Sequence, residues 1–308
     1  GESLLLSQRT GSRMKLKQLE IALQDVEVFE QPKIHLEQYP TTPHLAACVL
    51  FEAQNRFDDI EGRAVCDLGC GTGMLSIGAG ILGAKYVCGV DVDSDALTIA
   101  ARNAEEMEVD VELVQSDLTS LCFGVAHKSA SQTPPDLTPA DKPAAPPIQD
   151  QERASGCEQS EASCPAPSVE AHDVEGKELA GRGVREQGKF DTVLMNPPFG
   201  TRCKGIDMLF LLTGVCLARR AVYSMHKTST REHIAKKAAQ WHVGLQVIAE
   251  LNFDVPAMYD FHRKDNVVIQ VDLIRLQLPP DGIPPSALQG LVTLSREIES
   301  NRERVEGE

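Results

Sequence analysis

Short apolar runs of β type alternate along the chain with stretches whose apolar residues recur every three or four positions. The β-type runs are Ala64–Leu68, Tyr86–Val92, Val111–Ser116, Phe190–Met195, Ala221–Met225, Val247–Asn252 and Val267–Leu278. Helical spacing falls near Met74–Leu82, Ser94–Met107, Asp207–Arg219 and Ser229–Trp241, and an amphipathic stretch, Met14–Val28, precedes them all. Ser229 and Glu232 have the spacing of a capping box, in which each side chain satisfies a backbone N–H of the other at a helix start. Strand–helix alternation of this kind predicts an α/β fold: a seven-stranded, mostly parallel sheet with helices on both faces.

The alternation stops at residues 120–188. This stretch is rich in Pro, Ala, Ser, Gly and Glu and nearly free of aromatics, so it cannot bury enough apolar surface to offset the entropy of ordering. It reads as a disordered insertion between the third and fourth strands. Residues 1–13 read as a disordered extension, 14–119 and 189–278 as the two halves of one domain, and 279–308 as a non-core tail holding one exposed helix over Ser286–Arg304.

The formal charge of −15 on the whole chain is unfavourable for a nucleic-acid substrate. Segment by segment, however, residues 14–119 hold −12 while residues 189–278 hold +4. At contact distance the local field outweighs the total. The nine cysteines are an odd number with no CxxC pair, so neither a zinc site nor a disulfide framework is expected and no metal ligands are assigned. No apolar run approaches the length of a membrane span, and the leucines near the start are too few for a signal-peptide core. The expectation is a protein of the cell interior without membrane attachment.

Chemistry enters at the strand ends. Asp67-Leu68-Gly69-Cys70-Gly71-Thr72-Gly73 follows a strand and precedes a helix. Its glycines permit a sharp turn and close approach to a ligand. The GxGxG spacing behind Asp67 leans toward a methyl donor rather than a dinucleotide, whose fingerprint needs a later third glycine. Asp91 ends the next strand, about 20 residues on, where an acid can accept hydrogen bonds from ribose hydroxyls. Asp93 is a second candidate for that role, although it also fits the turn before a helix capped by Ser94. Asp117 sits where an adenine amino group would be met, with the Leu118 N–H beside it; an ordinary strand-ending Asp accounts for it nearly as well.

Asn196-Pro197-Pro198-Phe199 follows the fourth strand directly. The prolines remove two backbone donors and fix φ, giving a stiff loop that presents carbonyls. An amino nitrogen conjugated with a base is a poor nucleophile because its lone pair is delocalised. The Asn196 side-chain oxygen and the Pro197 carbonyl can accept both amino hydrogens and favour a pyramidal nitrogen, while Phe199 offers a stacking face.

With these residues in place, the chain resembles the class I methyltransferases, of Rossmann-like fold, that bear an NPP-aromatic or DPP-aromatic signature. Within them it is similar to the methyltransferase-like protein 5 family of eukaryotic small-subunit (18S) ribosomal RNA N6-adenosine methyltransferases. LEQYPTTPHLAA, DLGCGTGMLSIG, GVDVDSDALTIAARNAEE, FDTVLMNPPFGT, AVYSMHKTSTREHIAKKAA and VDLIRL carry the likeness, over most of 14–278. The resemblance implies S-adenosylmethionine as donor, touched by Gln38, Thr41, Gly69, Thr72, Met74, Asp91, Asp117 and Leu118 beside Asp67 and Gly71, with Asn196 to Phe199 as the catalytic loop. It also implies a small zinc-ribbon activator as heterodimer partner, seated along the edge strand 111–116, and work in the nucleus (nucleolus) and cytoplasm. Residues 1–13, 120–188 and the tail after Leu278 have no counterpart in that pattern.

Beyond the catalytic loop lie Arg202, Lys204, Arg219, Arg220, Lys227, Arg231, Lys236, Lys237, Arg263 and Lys264. Lys204, Lys227, Arg231, Lys236 and Lys237 are the candidates to track RNA phosphates; a solvated basic face explains any single one as well. Competing functions are a protein N5-glutamine methyltransferase, a DNA adenine methyltransferase and a catalytically idle scaffold.

Overall fold

The computed structural model describes residues 14–119, 188–256 and 266–306, all in one compact unit. The expected extension, most of the expected insertion, and Arg263 and Lys264 lie outside the described residues. In chain order the elements are α1 (Leu16–Leu23), α2 (Pro43–Phe57), β1 (Ala64–Leu68), α3 (Met74–Ile81), β2 (Tyr86–Asp91), α4 (Ser94–Glu106), β3 (Glu112–Gln115), β4 (Phe190–Met195), α5 (Ile206–Leu217), β5 (Ala218–Lys227), α6 (Arg231–Gln240), β6 (Gly244–Pro256), β7 (Asn266–Gln277) and α7 (Pro285–Glu306).

The strands form one seven-stranded sheet of order β3-β2-β1-β4-β5-β7-β6. β1 to β5 run parallel, and β7 pairs antiparallel with both β5 and β6. The order reverses between β1 and β4. At such a reversal the following connections leave toward opposite faces and open a crevice at the carboxyl ends of the strands. Leu68 lies opposite Met195 in register, so the glycine turn and the NPPF loop leave from neighbouring strand ends on either side of that crevice.

Side chains alternate across each strand. Val65, Val87 and Leu194 face a core built with Leu19, Leu23, Leu50 and Ile77 of α1 to α3. Cys66, Leu68, Val193 and Met195 face the opposite core, with Leu209, Leu211 and Val215 of α5. α2 starts where Thr42 accepts the Leu45 N–H and Pro43 occupies the first turn, where its missing N–H costs nothing.

Two expectations are corrected. The segment 279–308 is not a non-core tail: α7 packs on α5, burying Ala287, Leu291, Ser295 and Ile298. α5 is buried on nearly every side from Ile206 to Leu217, and such a helix needs cover away from the sheet as well as against it. Ser229 and Glu232 form no capping box, because residues Thr228–Thr230 make a 3-10 turn and α6 begins only at Arg231, after Thr230 and without a side-chain cap. Leu291 is fully buried, so Leu291→Ala should destabilise the fold by about 2–5 kcal/mol. Urea unfolding checks this, and an unchanged midpoint would contradict the packing of α7.

Candidate active site

The glycine turn crosses the crevice from the β1 side. Gly69, Gly71 and Gly73 have φ of +70°, +55° and +90°, where a side chain is strained. Space adds a second reason: a Cβ on Gly69 would lie 2.8 Å from the Phe210 ring, and one on Gly71 2.8 Å from Phe29 Cζ. The Gly69 and Cys70 N–H groups bond the Val90 carbonyl and tie the turn to β2. Thr72 and Met74, at the start of α3, are buried.

Beneath the turn lies Asp67, 1 % exposed. Its Oδ2 accepts the Ser76 hydroxyl at 2.7 Å, while its Oδ1 meets no hydrogen-bonding partner among the described residues. Burial pushes its pKa up to about 7, against the opposing effect of Ser76 and with a smaller push from Asp91. Asp91 ends β2 and accepts the N–H groups of Gly71 (2.8 Å) and Asp93 (2.9 Å). A carboxylate offers about four acceptor positions, so Asp91 keeps acceptor capacity beyond these bonds. Asp93, not Ser94, caps α4 by accepting the Asp95 N–H. Asp117, just beyond β3, accepts the N–H and hydroxyl of Thr119, and the Leu118 side chain is buried in the core.

The segment before α2 lies across these strand ends as a strap. Asn103 of α4 fixes one end, exchanging two hydrogen bonds with the Glu27 backbone and donating a third to the Thr72 carbonyl. Lys33 pairs with Asp93 and Asp95 at 2.6 and 2.7 Å. Gln38 is a brace: its oxygen accepts the Lys33 N–H and its nitrogen donates to Asp93. On the far side Glu37 accepts the Arg202 N–H, and Thr41 accepts from Asn196 Nδ2 at 3.0 Å. Gln38 thus bonds the strap and Asp93, and Thr41 meets the NPPF loop; the resemblance implies contacts with the methyl donor for both.

In the NPPF loop, Asn196 makes that single bond to Thr41, which leaves its Oδ1 accepting nothing from the described residues. Pro197 is buried, and Phe199 packs on the α1–α3 core. The Lys227 ammonium stands 5.7 Å from the centre of the Phe199 ring. Below the loop, Asp207 lies under Gly200, whose added Cβ would be 3.2 Å from Asp207 Oδ1. His226 is buried, shares a 2.9 Å hydrogen bond with Ser224, and is pushed down to about 4 by burial, so it stays neutral near pH 7.

Of the basic candidates, Lys204 and Lys236 are exposed, and Lys227 and Lys237 half-buried. The Arg231 guanidinium clasps Asp272 at 2.6 and 2.7 Å and Glu250 at 2.6 Å. Asn103, Phe29, Phe210 and Glu37 escaped the sequence reading. Each acts on a residue far away in the chain, and nothing in its immediate neighbourhood marks it.

A glycine turn, an acid at the end of β2 and an NPPF loop, all at one reversal of strand order, define a class I methyltransferase. The family model for ribosomal protein L11 methyltransferase (PrmA) matches residues 40–126, the half that holds the glycine turn. The crystal structure of a Pyrococcus horikoshii protein provisionally named an RNA methyltransferase superposes with a TM-score of 0.56 at 29 % identity, over 86 % of this chain and 98 % of that one. The rRNA N(6)-adenosine-methyltransferase METTL5 of Danio rerio is 44 % identical over 85 % of this chain and 98 % of its own length. Its Drosophila melanogaster counterpart, rRNA N(6)-adenosine-methyltransferase Mettl5, is 39 % identical over 87 % and 98 %. The chain belongs to this family of rRNA N(6)-adenosine-methyltransferases.

Asp67 gives a pH prediction. Its folded pKa, near 7, lies above the unfolded value of about 3.9. The neutral carboxyl is favoured in the fold, so its contribution is complete below about pH 4 and is lost as pH rises through 7. Relative to Asp67→Asn, wild-type stability should therefore fall between pH 4 and 7 in urea titrations. Parallel pH profiles would contradict it.

Proposed function

We propose that this chain transfers a methyl group from S-adenosylmethionine to N6 of an adenosine in small-subunit ribosomal RNA. The observation that carries the reading is the Asn196 amide. With Nδ2 held by Thr41, Oδ1 is the end left to accept, and accepting is what a target amino group requires. The residues fit the donor: Asp91 has acceptor capacity for its ribose, Asp117 lies just beyond β3 at the level of its adenine in this reading, and the glycine turn permits close approach of backbone. When bound, that donor supplies an electrophilic methyl group on a sulfonium. Asn196 Oδ1 and the Pro197 carbonyl accept the two amino hydrogens and draw the nitrogen lone pair out of conjugation. Phe199, beside the Lys227 ammonium, is the ring that stacks the base in this reading, worth about 1–3 kcal/mol in single-strand binders. No protein base is needed, because a methylated amino nitrogen loses its proton to water.

Asn196→Ala should cut turnover at least a hundredfold while leaving S-adenosylhomocysteine affinity unchanged. Thr41→Val, which keeps shape and removes the acceptor, should lower kcat, and Thr41→Ser should restore it. Mass spectrometry of nucleosides from treated RNA measures each. An Asn196→Ala chain that still makes N6-methyladenosine at the wild-type rate would end the proposal.

Lys204, Lys227, Lys236 and Lys237 form the phosphate-tracking set in this reading, without Arg231. Reversing the charge at Lys236 and Lys237 should weaken RNA binding and shallow its slope against salt by about 1–2 counterions. An unchanged slope would remove them from the interface.

The partner is part of the same proposal. β3 ends the sheet and pairs only with β2 among the described residues, so its outer edge can take a strand from the zinc-ribbon activator. Leu113→Pro in β3 should abolish co-purification with that subunit; undiminished co-purification would place the interface elsewhere. Residence in the nucleolus and cytoplasm belongs to this reading too.

A further inference from the structure

Lys227 ends β5 beside the NPPF loop. β4 stops at Met195, which pairs with Ser224, so β5 runs on through Met225 and His226 to Lys227, level with the start of that loop. A lysine at a strand end is ordinarily loose; this one is anchored on two sides. β7 pairs with it through Val271. Its carbonyl accepts the Thr230 hydroxyl at 2.7 Å, which closes the 3-10 turn Thr228–Thr230 back onto the strand. The Thr228 hydroxyl and the Arg231 guanidinium then converge on Asp272, which is 1 % exposed, and tie the turn to β7.

From this anchored backbone the half-buried Lys227 side chain brings its ammonium over the Phe199 ring, 5.7 Å from its centre. Among the described residues it forms no salt bridge, whereas Arg231 clasps two carboxylates. A cation within about 6 Å of an aromatic face is attracted by the ring quadrupole, more strongly where water is excluded. The attraction is mutual, so it holds the ring as much as the ammonium. Phe199 packs on the α1–α3 core and has this ammonium as a further contact. The tilt of a stacking ring sets the plane of the base on it, and with that plane the direction of the amino lone pair. An error in that direction costs rate more than affinity. We infer that Lys227 is a positioning residue for the transfer: its charge holds Phe199 at the tilt that aligns the target base. Thr228, Arg231 and Asp272 are the brace behind it. This task is separable from contact with phosphate, and the inference rests on the proposed methylation of RNA adenosine with Phe199 as the stacking ring.

Lys227→Met keeps the length of the side chain and removes its charge; Lys227→Gln takes its place if that variant does not fold. In the full chain, with its activator if activity requires one and an adenosine-containing RNA oligonucleotide at saturation, kcat should fall about three- to thirtyfold. KM and S-adenosylhomocysteine affinity should move far less. Lys227→Arg, whose guanidinium also sits on aromatic faces, should restore most of kcat. A second readout needs no substrate. With 4-fluorophenylalanine incorporated at position 199, the fluorine NMR resonance of the free chain should shift in Lys227→Met and move back toward wild type in Lys227→Arg. A wild-type kcat in Lys227→Met, or a loss confined to KM and the salt slope, would leave Lys227 a phosphate contact only and overturn the inference. An unmoved fluorine resonance overturns it whatever the substrate. If wild type methylates no RNA adenosine, the parent reading falls, and the resonance alone then decides whether Lys227 holds the ring.

Discussion

The hydrogen bond from Asn196 to Thr41 joins two parts of the chain 155 residues apart and decides what the crevice can do. An amide side chain is ambiguous: turned one way it donates into the site, turned the other it accepts. In the orientation found, Nδ2 donates to the Thr41 hydroxyl and Oδ1 is the end left to accept. The strap that carries Thr41 is itself fixed at the other end by Asn103 and in the middle by Lys33 and Gln38 against Asp93. The strap therefore works as a ruler laid across the strand ends, tying the end of β2 to the NPPF loop.

The sheet supplies the rigid frame for this ruler. β1 and β4 are adjacent and buried on both faces, so the loops leaving Leu68 and Met195 start from positions that cannot shift without opening the core. The β1 end carries strain and unsatisfied polarity: three glycines with positive φ lie in its turn, and Asp67 Oδ1 beneath them meets no donor among the described residues. Such features persist only where the surroundings over-determine them. The well-packed α1–α3 layer on one face and the α5–α7 layer on the other provide that margin.

Much of this was legible in the sequence. β1 and β4 fall on the residues that their apolar runs indicated, and the glycine turn and NPPF loop lie where strand–turn–helix spacing put them. These features are local, written in consecutive residues. α7 as a core element is not legible, because the Pro-rich start of its segment resembles a linker, while the partner that buries it, α5, shows only an excess of apolar residues. Ser229 and Glu232 matched a capping pattern, but the chain closes a 3-10 turn there first. Gln38 and Thr41 were reached through resemblance alone, and Asn103 and Glu37 not at all. Their roles are long-range hydrogen bonds, which leave no periodicity behind.

A crystal structure of the chain with S-adenosylhomocysteine and an RNA fragment containing adenosine tests the account most directly. The expected result is an adenine amino nitrogen within about 3 Å of both Asn196 Oδ1 and the Pro197 carbonyl, its base stacked on Phe199, and Asn196 Nδ2 still on Thr41. A base bound elsewhere in the crevice, or an Asn196 amide turned so that its nitrogen faces the base, would contradict it.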